Sequence, residues 1–160
     1  MSWLHVVLYA PEIPGNTGNI IRLCANVGAQ LHLVQPLGFI LDDKRLRRAG
    51  LDYHEFVKVR VHRDWSCLRE ATPEVREERI FLTTKHASRP PTQVQFEPGD
   101  MLVMGSETRG LPPDFREAYP AQQRLRLPMV EGSRSLNLAN ATAVFVYEAW
   151  RQCDFVGAMQ

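Results

Sequence analysis

The chain has 160 residues, with 19 basic and 18 acidic side chains and a formal charge of +1, so a nucleic-acid partner cannot be argued from total charge and must rest on local clustering. The length suits one domain, expected over residues 1–160, and Cys24, Cys67 and Cys153 lie far apart without Cys-x-x-Cys or Cys/His ligand spacing, which argues against a disulfide framework, a zinc site or any other metal. No apolar stretch approaches the roughly 20 residues that span a bilayer and the opening Met-Ser-Trp-Leu-His lacks a signal peptide's basic region; the expectation is a soluble, cytoplasmic protein without a membrane partner.

In chain order, the first apolar run is Trp3 to Tyr9, a predicted strand that leads into the polar loop Pro11-Glu-Ile-Pro-Gly-Asn-Thr-Gly-Asn-Ile-Ile-Arg22. A helix is predicted over Thr17 to Val27, capped by Asn16 or Thr17, with Ile20, Cys24 and Val27 on one face and Asn19, Arg22 and Asn26 on another. Leu31 to Val34 reads as a second strand. Lys44, Arg45, Arg47 and Arg48 then form the main basic cluster, although a solvated helix face is the commoner meaning of a short charge run. Further strands are predicted at Val57 to Val61, Ile80 to Thr84, Met101 to Met104 and Arg124 to Leu127, with acidic residues collected at Glu70, Glu74, Glu77 and Glu78 and a loop or hinge at Arg89-Pro-Pro-Thr. Short buried strands alternating with helices indicate an α/β domain with a mostly parallel sheet flanked by helices.

The last predicted helix, Leu136 to Arg151, aligns Asn137, Asn140, Tyr147, Glu148 and Arg151 along one side. Leu138, Ala141, Phe145 and Ala149 form one apolar face, and Leu136, Ala139, Ala143, Val146 and Trp150 a second. Two apolar faces are more than one sheet covers, which hints at a homodimer; a terminal helix sunk in its own core fits the pattern equally well.

Three polar loops follow strands and lead into helix or turn: Pro11 to Arg22, Gly105-Ser-Glu-Thr-Arg-Gly-Leu-Pro112, and the segment from Leu127 through Ser135. Ligands of open α/β sheets bind at such strand ends. The loops lack the spacing of a P-loop or a dinucleotide fingerprint, and no nucleophile elbow accompanies the scattered His5, His32, His54, His62 and His86. What remains is rich in Asn, Ser, Arg and backbone donors without an obvious base or metal ligand. Such a site suits group transfer by positioning, with an activated cosubstrate supplying the reactive group.

Asn16 through Arg22, Gly105-Ser-Glu-Thr-Arg-Gly-Leu111, and Leu127-Pro-Met129 with Ser133-Arg-Ser-Leu-Asn-Leu138 resemble, in order and spacing, the three signature motifs of the SPOUT RNA methyltransferases. Asp42 to His54 and Val146 to Gln152 look like the short subgroup that methylates the ribose 2′-oxygen of the tRNA wobble nucleotide. Gly15, where relatives often carry proline, and Ala139, where serine is common, depart from the pattern without touching the chemistry.

The resemblance implies a trefoil knot in the C-terminal part of the α/β fold, a homodimer, and S-adenosylmethionine as cosubstrate, without a metal. It implies that backbone around Leu82, Gly105, Leu127, Met129 and Ser135 cradles the donor, glycine at 105 allowing close approach. Arg22 matches the arginine used at the acceptor hydroxyl, as a base or as a clamp; a bland salt bridge to Glu12 is the competing reading. Ser135 and Asn137 would hold the loop and reaction centre, Ser135 alternatively capping the final helix. Asn16 would shape the site, Arg134 would contact phosphate, and Tyr147 would touch the acceptor nucleotide or pack in the core or interface. Lys44, Arg45 and Arg48, with Tyr53 and His54, would hold the anticodon stem-loop of tRNA. The implied activity is 2′-O-methylation at position 34, C or modified U, of selected tRNAs. Its alternatives are another tRNA or rRNA position, or a non-catalytic RNA-binding dimer.

Overall fold

The computed structural model describes residues 2–48 and 58–159; the expected contacts at Tyr53 and His54 lie outside these. Six strands, β1 (Leu4–Tyr9), β2 (Gln30–Val34), β3 (Arg60–His62), β4 (Ile80–Thr83), β5 (Asp100–Met104) and β6 (Arg124–Leu125), form one sheet in the order β3-β2-β1-β5-β4-β6. Every described pairing is parallel. Among the described residues the α-helices are α1 (Pro14–Val27), α2 (Asp43–Arg48), α3 (Trp65–Ala71), α4 (Pro113–Glu117) and α5 (Leu138–Gln152). β3 starts later than the apolar run around Val57 suggests, and β6 stops at Leu125 rather than Leu127. Beyond that point β4 has ended, and the Arg126 N–H turns to the carbonyl of Arg89.

Strand alternation sorts the apolar side chains into two cores. Leu4, Val6 and Leu8 of β1 join Leu31, Leu33, Leu102 and Met104 on the face covered by α1 and α5. Val7, Val34, Ile80, Leu82, Met101 and Val103 point the other way, toward Leu68 of α3 and Tyr119. Burying either set removes hydrocarbon from water at roughly 25 cal/mol per Å².

α1 begins three residues earlier than expected, at Pro14, whose fixed φ and missing N–H suit a first helical position. Neither Asn16 nor Thr17 caps it: the cap residue is Ile13, without a side-chain bond, and both polar residues are buried in the first turns. The helix stops at Gly28, in the left-handed region at φ 71°. α5 is capped by Asn137 rather than Ser135, its side chain accepting from the Ala139 and Asn140 N–H groups. α5 packs across α1, and both of its apolar faces are largely covered within the chain: Phe145, Val146, Ala149 and Trp150 are buried, and Trp150 stacks on Trp3. Its uncovered stripe carries Val144 and Tyr147 instead, 50% and 45% exposed.

Two segments differ from expectation in kind. Arg89-Pro-Pro-Thr is no hinge, because Arg89 bridges to Leu125, its guanidinium donates to the carbonyls of Gln122 and Gln93, and Pro91–Gln93 forms a 3-10 turn. Three histidines that look scattered in sequence form one row across β1, β2 and β3. His5 Nδ1 lies 3.0 Å from His32 Nε2, and His32 Nδ1 lies 2.9 Å from His62 Nε2. Glu74 Oε1 stands 3.6 Å from His5 Nε2 at the row's end. Burial lowers the pKa of all three imidazoles, that of His32 to about 3, so they are neutral at pH 7.

At the amino ends of the strands, Arg79 makes a two-pronged contact with buried Asp100 at 2.7 and 2.6 Å, Arg69 meets Glu77 and Arg76 meets Glu78. No described helix is long and apolar enough to cross a membrane.

Candidate active site

The order β3-β2-β1-β5-β4-β6 reverses direction between β1 and β5, and open α/β sheets bind ligands outside the carboxyl ends of strands at such a point. A cavity of about 430 Å³ opens there, within the usual range for small-molecule sites. Its walls come from all three polar loops: Asn16 after β1, Gly105 to Leu111 after β5, and Leu127, Met129 and Ser135 to Leu138 ahead of and into α5. Thr83 to His86 after β4 closes a fourth side.

A chain of side-chain bonds ties the loops together. The Glu107 carboxylate accepts from the backbone N–H groups of Glu12 and Ile13 at 2.8 and 2.7 Å, and from Asn16 Nδ2 at 3.2 Å. It thereby places negative charge at the α1 N-terminus, which lacks a cap of its own. Asn16 Oδ1 in turn accepts from Asn137 Nδ2 at 3.0 Å, while Asn137 Oδ1 caps α5. A second tie runs from the Thr108 hydroxyl to the Glu12 carboxylate, at 2.7 and 2.8 Å from its two oxygens, and that hydrogen bond above all holds the Glu12 carboxyl below its ordinary pKa.

Gly105 has a reason within its own loop. A Cβ there would sit 2.6 Å from the Gly110 carbonyl carbon and the Leu111 nitrogen, so the missing side chain lets the loop fold back on its own backbone. That packing sets the shape of the wall the cavity presents.

The structure brings Asn16, Gly105, Leu127, Met129, Ser135 and Asn137 to the cavity. Leu82 does not line it: it is fully buried, its side chain in the opposite core. Arg22 is exposed on α1 and Arg134 exposed in the loop before α5; neither lines the cavity, nor does Tyr147, which packs edge-on against Trp150 at 5.5 Å. Lys44, Arg45 and Arg48 lie exposed on or beside α2, also away from it, with the Arg45 guanidinium 3.7 Å from Asp42. Sequence reasoning gave Glu107 no structural role and overlooked Lys85 and Arg126, both of which line the cavity. Their position just past the carboxyl ends of β4 and β6 was the available signal.

The half-apolar walls, with Leu127, Met129, Leu138 and Phe145 beside exposed loop backbone, fit a nucleoside-bearing sulfonium cosubstrate in size and chemistry.

This fold and this constellation define an RNA methyltransferase class: residues 3–147 match the SpoU rRNA Methylase family, and the chain belongs to it. Among its relatives, the tRNA (cytidine(34)-2′-O)-methyltransferase of Burkholderia ambifaria is 58% identical over 154 residues, covering 96% of this chain and 97% of that one. The enzyme of the same name from Escherichia coli K12 is 54% identical over 156 residues, 98% of each chain. A solved structure described as giving insight into 2-OH methylation of C/U34 on tRNA superposes with a TM-score of 0.85 at 42% identity, covering 96% of this chain and 97% of that one. The SpoU methyltransferase AviRb from Streptomyces viridochromogenes, solved in complex with the cofactor AdoMet, superposes at 0.79 with 25% identity over 96% of this chain and 58% of its own.

Proposed function

We propose that this protein is a tRNA ribose 2′-O-methyltransferase that modifies the wobble nucleotide, position 34, of selected tRNAs, with S-adenosylmethionine as donor. The observation that carries this reading is the meeting of all three motif loops at one cavity through the Glu107–Asn16–Asn137 chain, in a protein that matches relatives of that activity along nearly its whole length. The anticodon stem-loop, a single domain over residues 1–160, a C-terminal trefoil knot and a cytoplasmic location are parts of the same proposal.

Bound S-adenosylmethionine supplies a methyl group on a positively charged sulfur, activated for attack by an oxygen. The backbone at Gly105, Leu127, Met129 and Ser135 holds the donor, and Asn137, fixed by its cap and by Asn16, keeps the loop before α5 in place over it. The chain's own contribution is chiefly geometric, and positioning of two reactants alone is worth several kcal/mol of barrier. The acceptor hydroxyl must lose its proton as the new bond forms. We assign Arg22 to that hydroxyl; a guanidinium offers donors and no acceptor, which favours the clamp role over the base role.

Arg22 sits outside the cavity of its own chain, which favours a homodimer in which the exposed side of α1 serves a neighbouring subunit's cavity. Exposed Ile13, Val144 and Tyr147 supply apolar surface for that contact. Lys44, Arg45, Arg48, His54, Arg134 and Tyr147 remain the proposed outer RNA contacts.

The test is methyl transfer from labelled S-adenosylmethionine to tRNA unmodified at position 34, with nucleoside mapping and Arg22→Ala alongside. Label at the position-34 ribose, reduced on the order of 10²-fold or more in the variant, supports the assignment. Label at another tRNA or rRNA nucleotide moves the target, and donor binding without transfer to any RNA refutes the enzyme.

A further inference from the structure

We infer that Lys85 and Arg126 form a phosphate-binding rim that grips the RNA strand beside the acceptor nucleotide; the inference rests on the methyl-transfer reading and adds a contact surface to it. The cavity is lined by the cations Lys85, Arg109, Arg116 and Arg126 and by a single carboxylate, Glu107. That carboxylate is already occupied, its oxygens taken by the Glu12 and Ile13 amides just ahead of α1 and by Asn16. Arg116 reaches the Leu111 carbonyl at 3.4 Å, and Arg109 acts on the nearby Glu12. Among the described residues, Lys85 and Arg126 have no carboxylate in ion-pair reach, whereas Arg69, Arg76 and Arg79 at the opposite edge each have one. The rim is a local surplus of positive charge in a chain whose formal total is +1, and such a surplus fits an anion brought by the partner.

The two side chains also come from a stiff base. Lys85 stands just past β4 and Arg126 just past β6, and the strand ends are stitched together by the Thr84 N–H to the Leu125 carbonyl at 2.9 Å. The Arg126 N–H bonds the Arg89 carbonyl, also at 2.9 Å, and Leu125 between them is fully buried. Two cations projecting from a fixed backbone next to a methyl-transfer cavity match neighbouring phosphates of a strand whose ribose is presented to that cavity, because phosphate contacts set register without reading bases.

The experiment measures tRNA binding by the full-length double variant Lys85→Ala/Arg126→Ala across a salt series, S-adenosylmethionine binding by calorimetry, and methyl transfer by the unaltered protein. The expected result is a salt slope shallower by about 1.4 to 1.8, two contacts at roughly 0.7 to 0.9 each, with donor affinity unchanged within about twofold. A slope equal to that of the unaltered protein overturns the rim. So does a shallower slope accompanied by loss of donor binding, which would place the two cations on the donor's carboxylate. If the unaltered protein methylates tRNA while the variant keeps its slope, only this inference falls; if the unaltered protein neither binds nor methylates tRNA, the functional reading falls with it.

Discussion

Arg69, Arg76 and Arg79, at the amino ends of the strands, each meet a carboxylate within 3.2 Å, whereas Lys85 and Arg126, at the carboxyl ends, meet none among the described residues. Charge at the amino edge is paired within the chain, most closely where Arg79 meets buried Asp100. Charge at the carboxyl edge faces outward from a cavity whose one lining carboxylate is spoken for. What separates the cations of the two edges is whether an acid comes close.

Asp100→Ala strikes the amino edge hardest. It strips the buried partner from Arg79, whose side chain is only 19% exposed, and breaking such a pair typically costs 3–5 kcal/mol, with about 3 expected here because Arg79 keeps some solvent. Thermal unfolding should fall by roughly 6–12 °C, while methyl transfer at a temperature where the variant is folded stays near normal. A large loss of transfer with intact stability would erase the division between the edges.

A second expected effect tests whether the histidine row belongs with the sealed charges. The unfolded chain protonates its imidazoles near pH 6.5, but the folded chain holds His5, His32 and His62 lower, His32 at about 3. Between those values the unfolded state binds more protons, so stability is full above about pH 6.5 and drains away as the pH falls. Neighbouring Glu74 and Arg60 act in opposite senses on His5. From His32 alone the loss between pH 6.5 and 5 is on the order of 2 kcal/mol, read as a drop in the urea midpoint; a midpoint flat over that range would contradict the row as drawn.

Asn137→Ala, at the carboxyl edge, should show the smallest stability effect, about 1 kcal/mol for a lost cap. Because it also cuts the tie to Asn16, we expect transfer to fall at least about tenfold, the energetic equivalent of 1.4 kcal/mol. Differential scanning calorimetry beside a transfer assay separates the two losses.

The division between edges was only partly legible in the sequence. The strands announced themselves as apolar, β-branched runs, and the three loops by their Gly, Ser and Asn content. What escaped were relations set by register and by distant partners. The turn leading into α1 is held by Glu107, more than 90 residues away, which accepts from the Glu12 and Ile13 amides, a partner no local pattern reveals. The histidine row exists because His5, His32 and His62 step two residues along each successive parallel strand, so that alignment, not spacing, brings the rings together. Lys85 and Arg126 escaped for a related reason: neither belongs to a charge run, and they share a rim only because β4 and β6 pair. Lys44 to Arg48, the run that stood out, lies away from the cavity.

The bond between Asn16 and Asn137 spans 121 positions, and that separation acts in time as well as space. At a synthesis rate of roughly 5–20 residues per second, about 6–24 s elapse between the making of one partner and the other. Throughout that interval the nascent chain holds the first loop and later the second without the third, so the cavity has no complete wall. The wall of the site is therefore completed only when α5 has been made.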